Sequence, residues 1–143
     1  MNVIIGSDHA GFVLKSECVK FMQKLPNLEV EDIGVHDKKS ADYPNFAHKV
    51  AKAVAEGKFE RGVLICGSGI GMSIAANRHK GARAALCTNI YMARMSRMHN
   101  DANILAMGER VVGEGLALEI LEVFLKTAFE GGRHKKRVDQ IEL

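Results

Sequence analysis

The sequence predicts an α/β protein, a three-layer α/β/α sandwich built on a five-stranded parallel sheet. Short apolar runs rich in β-branched residues alternate with stretches of helical spacing from end to end. The runs are nearly continuous in their apolarity, as in strands covered on both faces. Several close on glycine, where a strand must turn toward the next helix.

The first run, residues 3–5, stops at Gly6, and Phe12, Lys15, Cys18, Val19 and Met22 follow at helical spacing. Residues 30–33 stop at Gly34, ahead of Phe46, Val50, Ala53 and Val54. Residues 63–65 lead through Cys66 to Gly67, and residues 70–77 read as the third helix. The fourth run, 82–86, has Cys87 at its end and is followed by a helix over 90–99. The fifth, 104–107, precedes Leu116, Ile120, Val123 and Leu125 on one helical face. Successive βαβ units give a Rossmann-like sheet, although periodicity leaves the strand order open. With no linker or repeat, residues 1–143 read as one domain that ends in a basic tail (130–143).

The 143 residues are 47% apolar and 26% charged, ordinary for a globular chain and unlike disordered or collagen-like sequences. No apolar run nears the ~20 residues of a membrane span. The opening MNVIIGSDH lacks the charged start and long apolar stretch of a secretory leader. Three cysteines are too few, and odd in number, for a disulfide framework, so a cytoplasmic protein is expected. The net charge of +3 does not single out nucleic acid, although RHKKR (133–137) concentrates four formal positive charges. That tail has no interleaved aromatics and the chain no Trp, which argues against a nucleic-acid partner.

In open parallel sheets, ligands bind beyond the carboxyl ends of the strands. Asp8 and His9 follow the first strand, Cys66 to Gly71 the third and Arg110 the fifth, while His99 and Asn100 end the fourth helix. Alternate glycines in CGSGIG (66–71) let backbone N–H groups converge on an anion where a helix begins. A Walker loop is excluded because Met72-Ser73 stands where Gly-Lys is required. The dinucleotide fingerprint fails because Gly71 comes one position early, and a Cys-to-Arg phosphatase loop fails at Met72. At a helix start, Cys66 sits where a thiolate is favoured, and Ser68 can hydrogen-bond the sulfur or a substrate oxygen. The plainer alternative is a tight turn holding a buried cysteine. Cys18 and Cys87 read as packing residues.

No HxxxH or CxxC spacing occurs, so no metal is expected, and His9 reads as an anion-facing imidazole oriented by Asp8. Met92, Met95 and Met98 read as core or subunit interface. His99 alone could simply satisfy a helix end. Arg133 and Arg137, four apart, share a helical face and with Arg110 could clamp one phosphate; the alternative is a solvated basic tail.

Together GSDHAG (6–11), DYP (42–44), ICGSGIGMSIAANR (65–78), RAALC (83–87), MARMSRMHNDANILAMGERVVG (92–113) and EGGRHKKRV (130–138) resemble the ribose-5-phosphate isomerase B family, which includes isomerases of allose and galactose 6-phosphates. The resemblance covers essentially the whole chain. It implies an aldose–ketose isomerase interconverting ribose 5-phosphate and ribulose 5-phosphate through an enediolate, in the non-oxidative pentose phosphate pathway. In that likeness Cys66 is the base that moves a proton between C1 and C2, with Ser68 beside it. The backbone of Gly67, Gly69, Ile70 and Gly71 forms the enediolate's anion hole. His99 opens the furanose ring with help from Asp8, and Tyr43 and Asn100 contact sugar hydroxyls. His9, Arg110, Arg133 and Arg137 hold the phosphate; His134 also falls in the matching tail and has only a supporting part. The likeness further implies a homodimer, possibly a tetramer, in which His99 and some arginines face a partner's Cys66 loop.

Two positions depart from the family's pattern. Position 68 is commonly threonine; Ser68 keeps the hydroxyl and loses the methyl that restricts its rotamer. One branch of the family places a glutamate base at the position of Met72, so Cys66 has no visible substitute here. Isomerisation needs a base, a polarised carbonyl and an oxyanion stabiliser, which a thiolate, loop amides and a histidine supply without a cofactor. Two other classes compete: a flavodoxin-like cofactor or nucleotide-binding module, and a non-catalytic subunit of a heteromeric galactose-6-phosphate isomerase. The joint presence of Cys66, Ser68, His99 and Arg137 opposes the second.

Overall fold

A computed structural model describes residues 1–142. Five parallel strands, β1 (Asn2–Ser7), β2 (Glu29–Asp32), β3 (Arg61–Cys66), β4 (Ala84–Leu86) and β5 (Ile104–Gly108), form one sheet in the order β2-β1-β3-β5-β4. The helices are α1 (Phe12–Gln23), α2 (Tyr43–Ala55), α3 (Ile70–Ala76), α4 (Ile90–Asn100), α5 (Glu114–Lys126) and α6 (Arg133–Val138). A short 3-10 turn, His9–Gly11, leads into α1.

Side chains alternate across the sheet and divide the core in two. Val3, Ile5, Val63, Ile65, Leu105 and Met107 pack with residues of α1, α4 and α5. Ile4, Leu64 and Ile104 meet α2 and α3 on the other face. From α5, Ile120, Leu121 and Phe124 are fully buried, each contributing ~1.5–3 kcal/mol. This is the expected sandwich. No helix among the described residues is long and apolar enough to cross a membrane.

The structure alters several local expectations. β1 runs through Gly6 to Ser7, and β2 ends at Asp32, short of Gly34. β4 is shorter than its apolar run because Arg83 serves a turn: its N–H donates to Asn103 Oδ1 at 2.8 Å and its guanidinium reaches Asp101 Oδ2 at 3.2 Å. Cys87 therefore lies one residue beyond the strand, where burial pushes its thiol up to about 11. Burial first, then Glu17 and Glu114, push Cys18 up to about 12. Lys15, on the inward stripe of α1, is 1% exposed and paired with Asp32 at 2.5 Å; a buried ammonium needs such a partner. The methionine stripe is not core, since α4 turns Ala93, Ser96 and Arg97 inward and leaves Met92 exposed.

The strand order decides where a site can form. From β1 the chain moves outward to β2, whereas from β3 it crosses the other way to β4. The reversal opens a crevice beyond the carboxyl ends of β1 and β3.

Candidate active site

Cys66 is the last residue of β3 and is buried. The Gly69 N–H donates to its Sγ at 3.1 Å, and the Ile70 N–H donates to Ser68 Oγ at 3.2 Å. Gly69 turns the chain at φ +79°, and a Cβ there would lie 2.6 Å from Leu86 Cδ1 and 2.8 Å from the Met107 carbonyl carbon. Both demands require glycine. Gly108 lies against the same loop, where a Cβ would come within 2.5 Å of the Ser68 carbonyl carbon. The N–H groups of Glu109 and Arg110 donate to the carbonyls of Cys66 at 2.9 Å and Gly67 at 3.0 Å. The end of β5 is thereby laced to the cysteine turn.

Across the crevice, the Asp8 N–H donates to the Ile65 carbonyl at 3.3 Å. Asp8 Oδ1 accepts from the N–H groups of Ala10 at 3.0 Å and Gly11 at 3.1 Å, capping the 3-10 turn. His9 Nδ1 accepts the Ala41 N–H at 3.2 Å, so the neutral ring carries its proton on Nε2. Tyr43 opens α2 and packs against Gly71, while the Arg110 side chain lies over Gly67. Asp8, His9, Tyr43, Cys66, Gly67, Ser68, Gly71 and Arg110 line one cleft of about 440 Å³. Gly69 and Ile70 complete the loop behind it.

Ala10 and Val111 also line this cleft, and no feature of the sequence singled them out. Glu109, which the sequence places just beyond the fifth strand without a role, is a tie: its Oε2 accepts the Leu14 N–H at 2.9 Å, joining the first turn of α1 to the end of β5. An acidic residue beside Arg110 was visible, but its partner lies far away in the chain.

His99, Asn100, Arg133 and Arg137 are not among the residues lining that cleft. His99 stacks on His134 with ring centroids 4.1 Å apart and planes within 9°. Glu130 Oε2 lies 3.1 Å from His134 Nε2 and 3.7 Å from His99 Nε2. Burial holds His134 below the ordinary histidine range; His99 and Arg133 push the same way, Glu130 opposes them, and Arg137 adds to the lowering. Asn100 lines a different cavity, of about 600 Å³, with Asn77 and Arg83. Of the three arginines expected to share a phosphate, Arg110 alone lines the Cys66 cleft of this chain. α6 packs through His134 and Val138, which leaves Arg133 and Arg137 exposed, and neither lines the cleft that holds Arg110.

His99, Glu130 and His134 offer three ligand atoms within 4.8 Å of one another, a grouping the sequence spacing did not suggest. The two rings are parallel and lie in separate planes. Their in-plane nitrogen lone pairs cannot meet at one tetrahedral ion in this arrangement.

The switch-point cleft places the protein among the doubly wound α/β enzymes that handle small ligands at the carboxyl edge of the sheet. Comparison with known proteins narrows that class: the chain belongs to the Ribose/Galactose Isomerase family, whose model matches residues 3–141. It is 48% identical over 139 residues to ribose-5-phosphate isomerase B of Escherichia coli, covering 97% of this chain and 93% of that protein. The structure of ribose-5-phosphate isomerase B from Clostridium thermocellum is 58% identical with a TM-score of 0.96, covering 99% and 95% of the two chains. That of ribose-5-phosphate isomerase B from Mycoplasma genitalium, with bound ribulose-5-phosphate, is 39% identical with a TM-score of 0.93, covering 98% and 93%.

Proposed function

We propose that this isomerase interconverts D-ribose 5-phosphate and D-ribulose 5-phosphate through an enediolate. The observation that carries the reading is the gathering of Asp8, His9, Tyr43, Cys66, Ser68 and Arg110 in one switch-point cleft, in a chain of this family. Cys66, as thiolate, removes the C2 proton of the open-chain aldose and returns it to C1. Backbone N–H groups of the 67–71 loop other than those held by Cys66 Sγ and Ser68 Oγ take the oxygen on which charge develops. Ser68 Oγ already accepts the Ile70 N–H, which leaves its own hydrogen to serve a substrate oxygen. Met72, fully buried in the core beside α2, offers no second base.

His9, with its proton on Nε2, and Arg110 take part of the phosphate, and Tyr43 a sugar hydroxyl. Remote binding of this kind positions the reacting carbons. His99, which opens the ring with help from Asp8, reaches this cleft from a second copy of the chain, together with Asn100, Arg133 and Arg137. The functional unit is then a homodimer with shared sites, alone or paired into a tetramer. It works in the cytoplasm, in the non-oxidative pentose phosphate pathway, without a metal or organic cofactor.

The test measures conversion of ribose 5-phosphate and allose 6-phosphate side by side, for wild type and Cys66→Ala. The wild type should convert the pentose phosphate, and the variant should lose at least a hundredfold, within the ~10²–10⁴ that a positioned proton-transfer group contributes. Activity within about tenfold of wild type would remove Cys66 from its role as base.

A further inference from the structure

Resting on the reading that His99 opens the sugar ring, we propose that Glu130 and His134 are positioning residues that hold the His99 imidazole for that step. Two contacts reach His99 itself, and a third ties Glu130 to the neighbouring residue. The His99 ring stacks face to face on His134 at 4.1 Å, so rotation about its last torsion is blocked on that side. The Glu130 carboxylate oxygen sits 3.7 Å from its Nε2, at ion-pair distance. The Glu130 N–H donates to the Met98 carbonyl at 3.1 Å, fixing the carboxylate's backbone to the last turn of α4.

The support is itself anchored. Gly131 and Gly132 both adopt positive φ, +67° and +54°, and turn the chain back so that His134 returns beneath Glu130. His134 is 6% exposed and Val138, one turn on, is 7% exposed, so this side of α6 is seated on the protein. Ring opening requires His99 to take the proton of the anomeric hydroxyl and to return one to the ring oxygen. The C1–O4 bond breaks, C1 becomes an aldehyde, and no proton is gained or lost overall. With Nε2 3.7 Å from the Glu130 carboxylate, the other ring nitrogen is the one left for the sugar. The carboxylate also stabilises the imidazolium formed midway, as an orienting carboxylate does for other catalytic histidines. His134 contributes shape and stacking rather than charge.

Ribulose 5-phosphate separates this role from general damage. Its 5-oxygen is esterified, so it cannot close a furanose ring, and proton exchange at C1 in D2O needs Cys66 but no ring opening. Conversion of ribose 5-phosphate and C1 exchange of ribulose 5-phosphate are measured for wild type, Cys66→Ala, His99→Asn, Glu130→Gln, His134→Gln and His134→Phe. Glu130→Gln and His134→Gln should lower kcat on ribose 5-phosphate by about tenfold, a fraction of the ~10²–10⁴ from a positioned acid–base group. Exchange should stay within about twofold of wild type, and His134→Phe, which keeps a stacked ring, should recover part of the loss. Unchanged kcat in either Glu130→Gln or His134→Gln overturns the inference, as does a parallel fall in exchange. His99→Asn should show the same split as Glu130→Gln. If it does not, the ring-opening reading fails; if it does and Glu130→Gln does not, only the present inference fails. Exchange surviving in Cys66→Ala counts against the base assignment instead.

Discussion

In the Cys66 cleft, main-chain groups do most of the holding: the Gly69 amide on the sulfur, the Ile70 amide on Ser68 and the Glu109 and Arg110 amides on the cysteine turn. At the end of α4 the holding falls largely to side chains, with His134 and Glu130 packed against His99. A backbone-built site leaves no room for a Cβ and so writes glycines into the sequence. A side-chain-built site is assembled from residues far apart in the chain and leaves only scattered letters. The two regions also fail differently: the first through sterics, the second through loosened docking and altered charge.

The sharpest way to break the comparison is to separate the two regions between subunits. Cys66→Ala and His99→Ala proteins, each inactive alone, should regain activity when their subunits are exchanged. In a random mixture half the dimers are mixed, and each has one intact site, so recovery of about a quarter of wild-type activity is expected from symmetry. A mixture that stays inactive while native mass spectrometry shows exchange places the whole site in one chain.

Gly108→Ala tests the steric side. Its Cβ would sit 2.5 Å from the Ser68 carbonyl carbon and must push the cysteine turn aside. A shift of ~1 Å costs about 10²-fold in rate, and overpacking costs ~1–3 kcal/mol in stability. Measurement of kcat/KM alongside urea melts checks both, and near-normal kinetics would show that the turn is not held rigidly.

Arg97→Met probes the docking at the other region. Arg97 is 2% exposed, donates to the Ala102 carbonyl at 2.6 Å and the Thr127 carbonyl at 3.2 Å, pairs with Asp101 at 2.9 Å and lies over Phe124. Its loss strands buried carbonyls and weakens the join between α4 and the segment after α5, for about 3 kcal/mol. Chemical denaturation should record that loss, while C1 exchange at Cys66 continues in the folded fraction.

A smaller effect concerns pH. His134 is held below the ordinary histidine range in the folded protein, so the unfolded chain takes up a proton first as pH falls. Stability from this residue is therefore full above about 6.5, the ordinary value, and declines below it until the folded group also protonates. Melting temperature followed from about pH 7.5 to about pH 5 should drop less for His134→Phe than for wild type. The smallest effect expected is none: exhaustive chelation should leave isomerase activity unchanged, and recovery by an added divalent ion after a loss would overturn that.

Much of this protein can be read from its letters because the relevant physics is local. The five strands and first five helices follow from runs and spacings within a dozen or so residues. The cysteine turn is legible because a chain that brings amides onto a sulfur and passes a neighbouring strand end needs glycine at 69 and 108. Tertiary structure alone decided the strand order and the switch point, which depend on which strands pair. It made Lys15 a buried ion pair rather than a surface charge, and it left Met92 exposed in a methionine stripe whose spacing suits core equally well. It also brought Glu130 and His134 to His99, since two positive-φ glycines and a buried helix face determine where the tail returns. Such contacts join groups distant in sequence, and their free energy exists only once the intervening chain has folded.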